Sequence, residues 1–176
     1  MNQTKADAKE QEKKRQRVLL KQYLGQYYSA KRVKQRLEKR LQVISEEMGS
    51  IRGMNYSPIP SGKTNAISDG PISGVIRKME VEERIENQKD EMAKAMLSVM
   101  AIMDFLPVNS EEREVLELRH IDCMSWKQIC KEVNYSRTTS NDKYNAGIDK
   151  LLEFKKVQKI IKDFEKKQEK DADTSD

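Results

Sequence analysis

Ser125-Trp126-Lys127-Gln128-Ile129-Cys130-Lys131-Glu132-Val133-Asn134-Tyr135-Ser136-Arg137-Thr138-Thr139-Ser140-Asn141-Asp142 sets the architecture of this chain. Ser125 is a helix-capping type standing before a short amphipathic run, Trp126 to Val133, in which Ile129 and Val133 lie one turn apart and face inward. Asn134, Tyr135 and Ser136 form a short turn, with Tyr135 in its apolar slot and Ser136 or a neighbour capping a third helix from Arg137 onward. Cys130 occupies a position where close helix packing favours a small side chain. Along the third helix Ser140, Gly147, Ile148 and Leu151 share one face, and Gly147 permits a close approach. Upstream, Pro107 ends a preceding helix and Asn109 or Ser110 caps Glu111 to Arg119, whose early acids suit the positive end of the helix dipole. Leu116 and Trp126 complete the expected core, together with Ile129, Cys130, Val133, Tyr135, Ile148 and Leu151. Two short helices joined by a three-residue turn predict a helix-turn-helix.

The side chains left outside that core predict chemistry. Thr138, Thr139, Asn141, Asp142 and Asn145 project from the early exposed face of the third helix. They are short donors and acceptors suited to base edges in a major groove. Arg137, Lys143 and Lys150 suit phosphates, which fix register without reading sequence. The competing reading is a polar face turned to solvent, and the agreement of turn chemistry, packing positions and charge favours double-stranded DNA.

The run Glu112-Arg113-Glu114-Val115-Leu116, Leu118-Arg119, Met124 to Ile129, Ser136 to Thr139 and Lys150-Leu151 resembles region four of sigma factors. That region is a helical module that binds a promoter element. The resemblance covers about a quarter of the chain. It departs from the sigma pattern at Lys143, where the sigma recognition helix often carries an apolar residue. The layout as a whole is similar to the ArpU and RinA kind of phage transcriptional regulators, with a basic helical N-terminal part, a Gly/Pro-containing middle and a sigma-like helix-turn-helix at the end. The resemblance implies a DNA-binding activator of late phage genes, with RNA polymerase as a second candidate partner through the acidic helix bearing Glu111, Glu112, Glu114 and Glu117. A sigma factor's remaining domains do not fit in 176 residues.

Charge is uneven along the chain. Residues 1–50 carry 13 Lys/Arg against 6 Asp/Glu, while residues 110–176 carry 14 against 15. Within the latter, an acidic segment, Glu111 to Asp122, precedes a basic one, Arg137 to Lys167, as expected of a module with one phosphate-facing side. The N-terminal segment, 1–51, carries a stripe of Leu20, Tyr23, Tyr27, Ala30, Val33, Leu37, Leu41, Ile44, Met48 and Ile51. Its mean spacing of about 3.4 residues predicts one long helix over roughly 15–50, with a heptad-like seam that needs a partner helix. That partner is either in the same chain or in a second copy, which makes a homodimer through the N-terminal helix a candidate assembly. The basic residues between the stripe positions fit non-specific phosphate contact and the solvated side of a coiled coil equally well.

Gly53, Pro58, Pro60, Gly62, Gly70 and Pro71 mark 52–72 as a flexible linker. A second amphipathic helix follows over 73–106, with Ile85, Met92, Met96, Val99, Met103 and Leu106 as its stripe; its methionines are read as core filling. The helix-turn-helix module then spans 107–167, and 168–176 is a disordered tail. The fold class is all-α.

Enzymatic and metal-dependent readings are weak. His120, Cys123 and Cys130 match no common zinc spacing and lack a fourth ligand. Gly62-Lys63-Thr64 resembles the end of a phosphate loop, but the required preceding glycine is replaced by Ser57. No cofactor and no catalytic residue is expected. No apolar run reaches the length of a membrane span, no signal peptide opens the chain, and two cysteines without a secretion signal predict a cytoplasmic location. The alternatives to a transcription regulator are a small terminase subunit that recognises packaging DNA and a coiled-coil assembly or adaptor protein.

Overall fold

The computed structural model describes residues 2–51 and 71–173. All the described secondary structure is helical: α1 (Asn2–Leu24), α2 (Gln26–Ile51), α3 (Pro71–Met103), α4 (Glu111–His120), α5 (Trp126–Glu132), α6 (Arg137–Leu152) and α7 (Lys155–Asp173). The expected all-α class is the observed one. The linker expected over 52–72 falls, but for its last two residues, outside the described residues.

Two features differ from the sequence expectation. The long N-terminal helix bends at Gly25, whose amide is shared between the Lys21 and Gln22 carbonyls at 3.1 Å each. The Ser29 amide still bonds the Gly25 carbonyl at 3.0 Å, so α1 runs on into α2 through the bend. The C-terminal tail is the second difference, because α7 continues to Asp173. Val157 and Ile161 are buried on α7, and the Phe164 ring meets Tyr23 edge-on with centroids 5.2 Å apart. This apolar stripe gives the described residues a further helix after α6. The end of α6 is held by the Gln158 side chain, which donates to the Leu152 carbonyl at 2.7 Å.

The chain forms two compact units. The first comprises Met1–Ser29 with Ala93–Asp176. In it α1 packs on α6 and α7, and α4, α5 and α6 pack on one another. Its core holds Leu20, Leu24, Val99, Ile102, Met103, Val115, Leu116, Ile129, Ile148, Leu151, Val157 and Ile161. The segment expected as 1–51 is therefore divided, because Leu20 and Leu24 are fully buried with the helix-turn-helix. Arg113 fastens the start of α4 to the chain before it. Its guanidinium donates to Asp104 at 2.9 Å, to the Leu106 carbonyl at 3.2 Å and to Glu117 at 2.6 Å.

The second unit, Ala30–Met92, is an antiparallel helical hairpin. Gln88 donates to the Ala30 carbonyl at 3.4 Å, and at the other end Gly74 lies against Met48, leaving 3.2 Å between a Cβ and Met48 Cγ. Val33, Leu37, Leu41, Ile44 and Met48 are half-buried and Ile85 is buried. The seam read from the sequence thus has a partner within its own chain. Replacing Leu37 and Leu41 with Asp is expected to lower helical content and the melting temperature, since charges on a seam lose the apolar surface opposite. Circular dichroism with a thermal melt checks this, and unchanged traces would show that the stripe contributes nothing.

Candidate nucleic-acid interface

Three serines start the three helices of the module. The Ser110 hydroxyl accepts from the Arg113 amide at 3.3 Å and Ser136 from the Thr139 amide at 3.1 Å. Ser125 and Gln128 form a reciprocal capping box. Each cap satisfies an amide that the first turn leaves without an intrahelical partner. Between α5 and α6 the backbone reverses at Asn134, with φ 55°, a conformation that asparagine tolerates better than most residues. The Tyr135 amide then closes the turn on the Cys130 carbonyl at 3.1 Å.

The angle of α6 is fixed from beneath. Ser140 is fully buried; its hydroxyl donates to the Ser136 carbonyl at 3.0 Å and lies 3.5 Å from Cys130 Sγ. At Gly147 a Cβ would stand 2.7 Å from Leu116 Cδ1 and 3.2 Å from Glu112 Cβ, so α4 and α6 meet at a distance that only glycine permits without movement. Leu116, Ile129, Ile148 and Leu151 are fully buried, whereas Trp126, Cys130, Val133 and Tyr135 are half-buried. Trp126 acts as an aromatic plate at the module's surface. The Arg137 guanidinium lies 4.1 Å from its ring centroid, that of Arg119 lies 5.5 Å away, and Tyr144 meets it edge-on.

The eight side chains expected to touch DNA divide sharply. Arg137, Thr138, Asn141 and Asp142 are exposed together on the first two turns of α6. Thr139 is drawn into the cap, its hydroxyl 2.9 Å from that of Ser136. Lys143 pairs with Glu111 at 2.6 Å and Lys150 with Glu112 at 3.0 Å, which turns both toward α4. The hydrogen bond from Lys143, followed by one from Tyr135, holds the Glu111 carboxyl below the usual carboxylate range. Asn145 accepts a hydrogen bond from Lys21 of α1 at 3.1 Å.

Helix geometry explains the division. At 3.6 residues per turn, Asn145 and Asp149 fall within about 20° of Thr138 around α6, while Lys143 and Lys150 fall about 120–140° away. The stripe led by Thr138 is therefore open at its N-terminal end and covered by α1 further along. There Arg17 donates to Asp149 through Nε at 2.6 Å and also through Nη2, and Lys13 stands 3.8 Å from the same carboxylate. Hydrogen bonding to Arg17 holds the Asp149 carboxyl low.

Behind the stripe lies a buried polar pair. His120 Nε2 and the Tyr144 hydroxyl are 3.1 Å apart, and the His120 ring also bonds the Leu24 main chain. Burial, with Arg119 adding to it, pushes His120 down to about 4, and burial pushes Tyr144 up to about 12. Among the described residues no cluster of His, Cys, Asp or Glu could hold a metal ion, and no helix is long and apolar enough to cross a membrane.

No curated protein and no solved structure matches the chain. Residues 75–153, which take in α4, α5 and α6 whole, match the family model described as "Protein of unknown function (DUF1492)".

Proposed function

We propose that the chain is a sequence-specific double-stranded DNA-binding protein that regulates transcription, with the first two turns of α6 reading base edges. The observation that carries this is the joint exposure of Arg137, Thr138, Asn141 and Asp142 at the N-terminal end of the second helix of a capped helix-turn-helix. In such a module those positions meet the major groove, and α6 is held there by Gly147 and Ser140. Asn141 offers the bidentate amide that suits adenine, Thr138 a hydroxyl and a methyl, and Arg137 a phosphate contact or a guanine edge.

The resemblance to ArpU- and RinA-type regulators extends the proposal to activation of late phage genes. It also extends to contact with RNA polymerase through α4, whose exposed acids are Glu111 and Glu114. Glu117 has a structural duty instead, as the partner of Arg113.

Selection of bound duplexes from a randomised pool tests the reading: a recurring motif is expected. Replacing Thr138 and Asn141 with Ala is expected to lower discrimination between the motif and a scrambled duplex by about 1–3 kcal/mol per lost base contact, leaving weak salt-sensitive binding. A double variant that still recovers the same motif would place the reading helix elsewhere. Thr139 is left intact because its change would also weaken the Ser136 cap.

Homodimerisation through the N-terminal helix is a second proposal, favoured by the exposed Val43 of α2, with Val75, Ile76 and Met79 of α3 exposed on the same hairpin unit. Two copies would match a palindromic site. Sedimentation of the full chain measures it: a dimer is expected, a monomer overturns it, and a closed ring would favour packaging DNA recognition over regulation.

A further inference from the structure

We infer that α1 is the second half of the DNA interface, a phosphate-contacting flank beside the reading end of α6, with Lys13 and Lys21 as its contact residues. The inference rests on the DNA-binding reading above and specifies how that surface is built.

Three observations on one face carry it. First, α1 crosses α6 on the stripe that Thr138 begins. Lys21 reaches Asn145 and Arg17 reaches Asp149, two and three turns beyond the reading end. A duplex approaching Thr138 and Asn141 along that stripe meets α1 next. Second, the local charge is in surplus. Lys13, Arg17 and Lys21 converge on a single carboxylate, Asp149, and on a neutral amide, Asn145. Asp149 and the exposed Asp142 would repel a phosphate backbone; Lys13, Arg17 and Lys21 set three positive charges against these two and leave the flank net positive. Third, the cations that α6 itself carries in this region face elsewhere. Lys143 and Lys150 are paired with Glu111 and Glu112 on the α4 side. Beyond Arg137 at the tip of α6, phosphates flanking the reading end therefore find their cations on α1.

The three cations divide the work. Arg17 is 37% exposed and makes both bonds to Asp149, so it is a positioning residue that docks α1. Lys13 is 57% exposed at 3.8 Å from Asp149 and can turn outward. Lys21 Nζ lies 5.2 Å from the Tyr144 ring centroid, and its bond to Asn145 uses one of three ammonium hydrogens, leaving two for a phosphate. Asn145 is held by this contact and is not a base-reading residue.

The test is the salt dependence of binding by the full chain to its selected duplex and to a scrambled one, for wild type, Lys13→Gln, and Lys13→Gln with Lys21→Gln. Each lost phosphate contact is expected to reduce the slope of log K against log salt by about 0.9 and to weaken binding about fivefold at 0.15 M salt, on both duplexes alike. Preference between the duplexes should persist. Lys13→Gln alone serves should the double variant lose helicity, because that side chain is exposed. Unchanged slopes in a folded variant, with the Thr138→Ala, Asn141→Ala double variant still lowering preference, overturn this inference and leave the DNA-binding reading standing. Failure of the wild type to bind any duplex overturns both.

Discussion

Ile129→Ala is expected to destabilise the helix-turn-helix unit by about 2–4 kcal/mol, the cost of lost apolar transfer plus the cavity left behind. Ile129 is fully buried and is the one side chain of α5 that is. A helix of 7 residues has too few turns to hold its own shape in water, so it depends on that anchor. The cavity would open where α5 lies on α4 and α6, which together carry the reading end. A domain with total stability of about 5–15 kcal/mol loses a large fraction of it. The melting temperature should fall by roughly 10 °C or more, measured by circular dichroism on the full chain. Val133→Ala, at a half-buried position one turn on, should cost much less. Equal, small shifts for the two variants would show that α5 is not anchored through Ile129.

The helix-turn-helix was legible because its information is local. Three capping serines and one turn asparagine each constrain the chain within a few residues of themselves. The coarse fold class followed from the scarcity of breakers outside the linker. What the sequence hid depends on distant partners. His120, weighed there only as a metal ligand, and Tyr144 are 24 residues apart and bonded in the core. Trp126, expected in the core, is half-buried: one side packs on Tyr144, and Arg119 and Arg137 lie over its ring. Lys143 and Lys150 looked free for phosphates; only the packing of α4 on α6 brings Glu111 and Glu112 to them.

Two further signals are present in the sequence. Val157, Ile160, Ile161 and Phe164 follow helical spacing and announce α7, but the dense lysines around them masked the stripe. Gly25 sits inside an otherwise continuous heptad-like pattern and marks the bend between α1 and α2. With that bend in view, Leu20 and Leu24 need not share a partner with Leu37 and Leu41, and the two groups do lie in different units. No residue type could have announced the docking of α1 on α6. Lys13, Arg17 and Lys21 recur every four residues, which is as consistent with a solvated basic face as with a grip on Asp149.

Acid is expected to loosen the first unit before its carboxylates titrate, through His120. Its ring is neutral in the folded chain, hydrogen-bonded to the Tyr144 hydroxyl and to the Leu24 main chain, and burial holds it down at about 4 from an ordinary 6.5. Arg119 and Lys21, the nearby cations, oppose a charge there as well. Between those two values the unfolded chain binds a proton that the folded chain refuses, so stability is complete above pH 6.5 and is lost as pH falls toward 4. From pH 7 to pH 5 the loss amounts to about 2 kcal/mol, at about 1.4 kcal/mol per unit below 6.5. The carboxylates held low by cations, Glu111, Glu112 and Asp149, begin to add their own losses only as pH falls toward their ordinary values of 4.5, 4.5 and 3.8, below the range from pH 7 to pH 5. Since His120 joins the end of α1 to α4 and α6, the same acid step should weaken the seating of α1. Urea denaturation of wild type and His120→Gln at pH 7, 6 and 5 isolates the effect, because the glutamine keeps a donor and an acceptor but takes up no proton in this range. The wild type should lose stability across the series while the variant, weaker at pH 7, stays flat. Parallel losses in the two proteins would assign the acid sensitivity to other groups and remove His120 from the account.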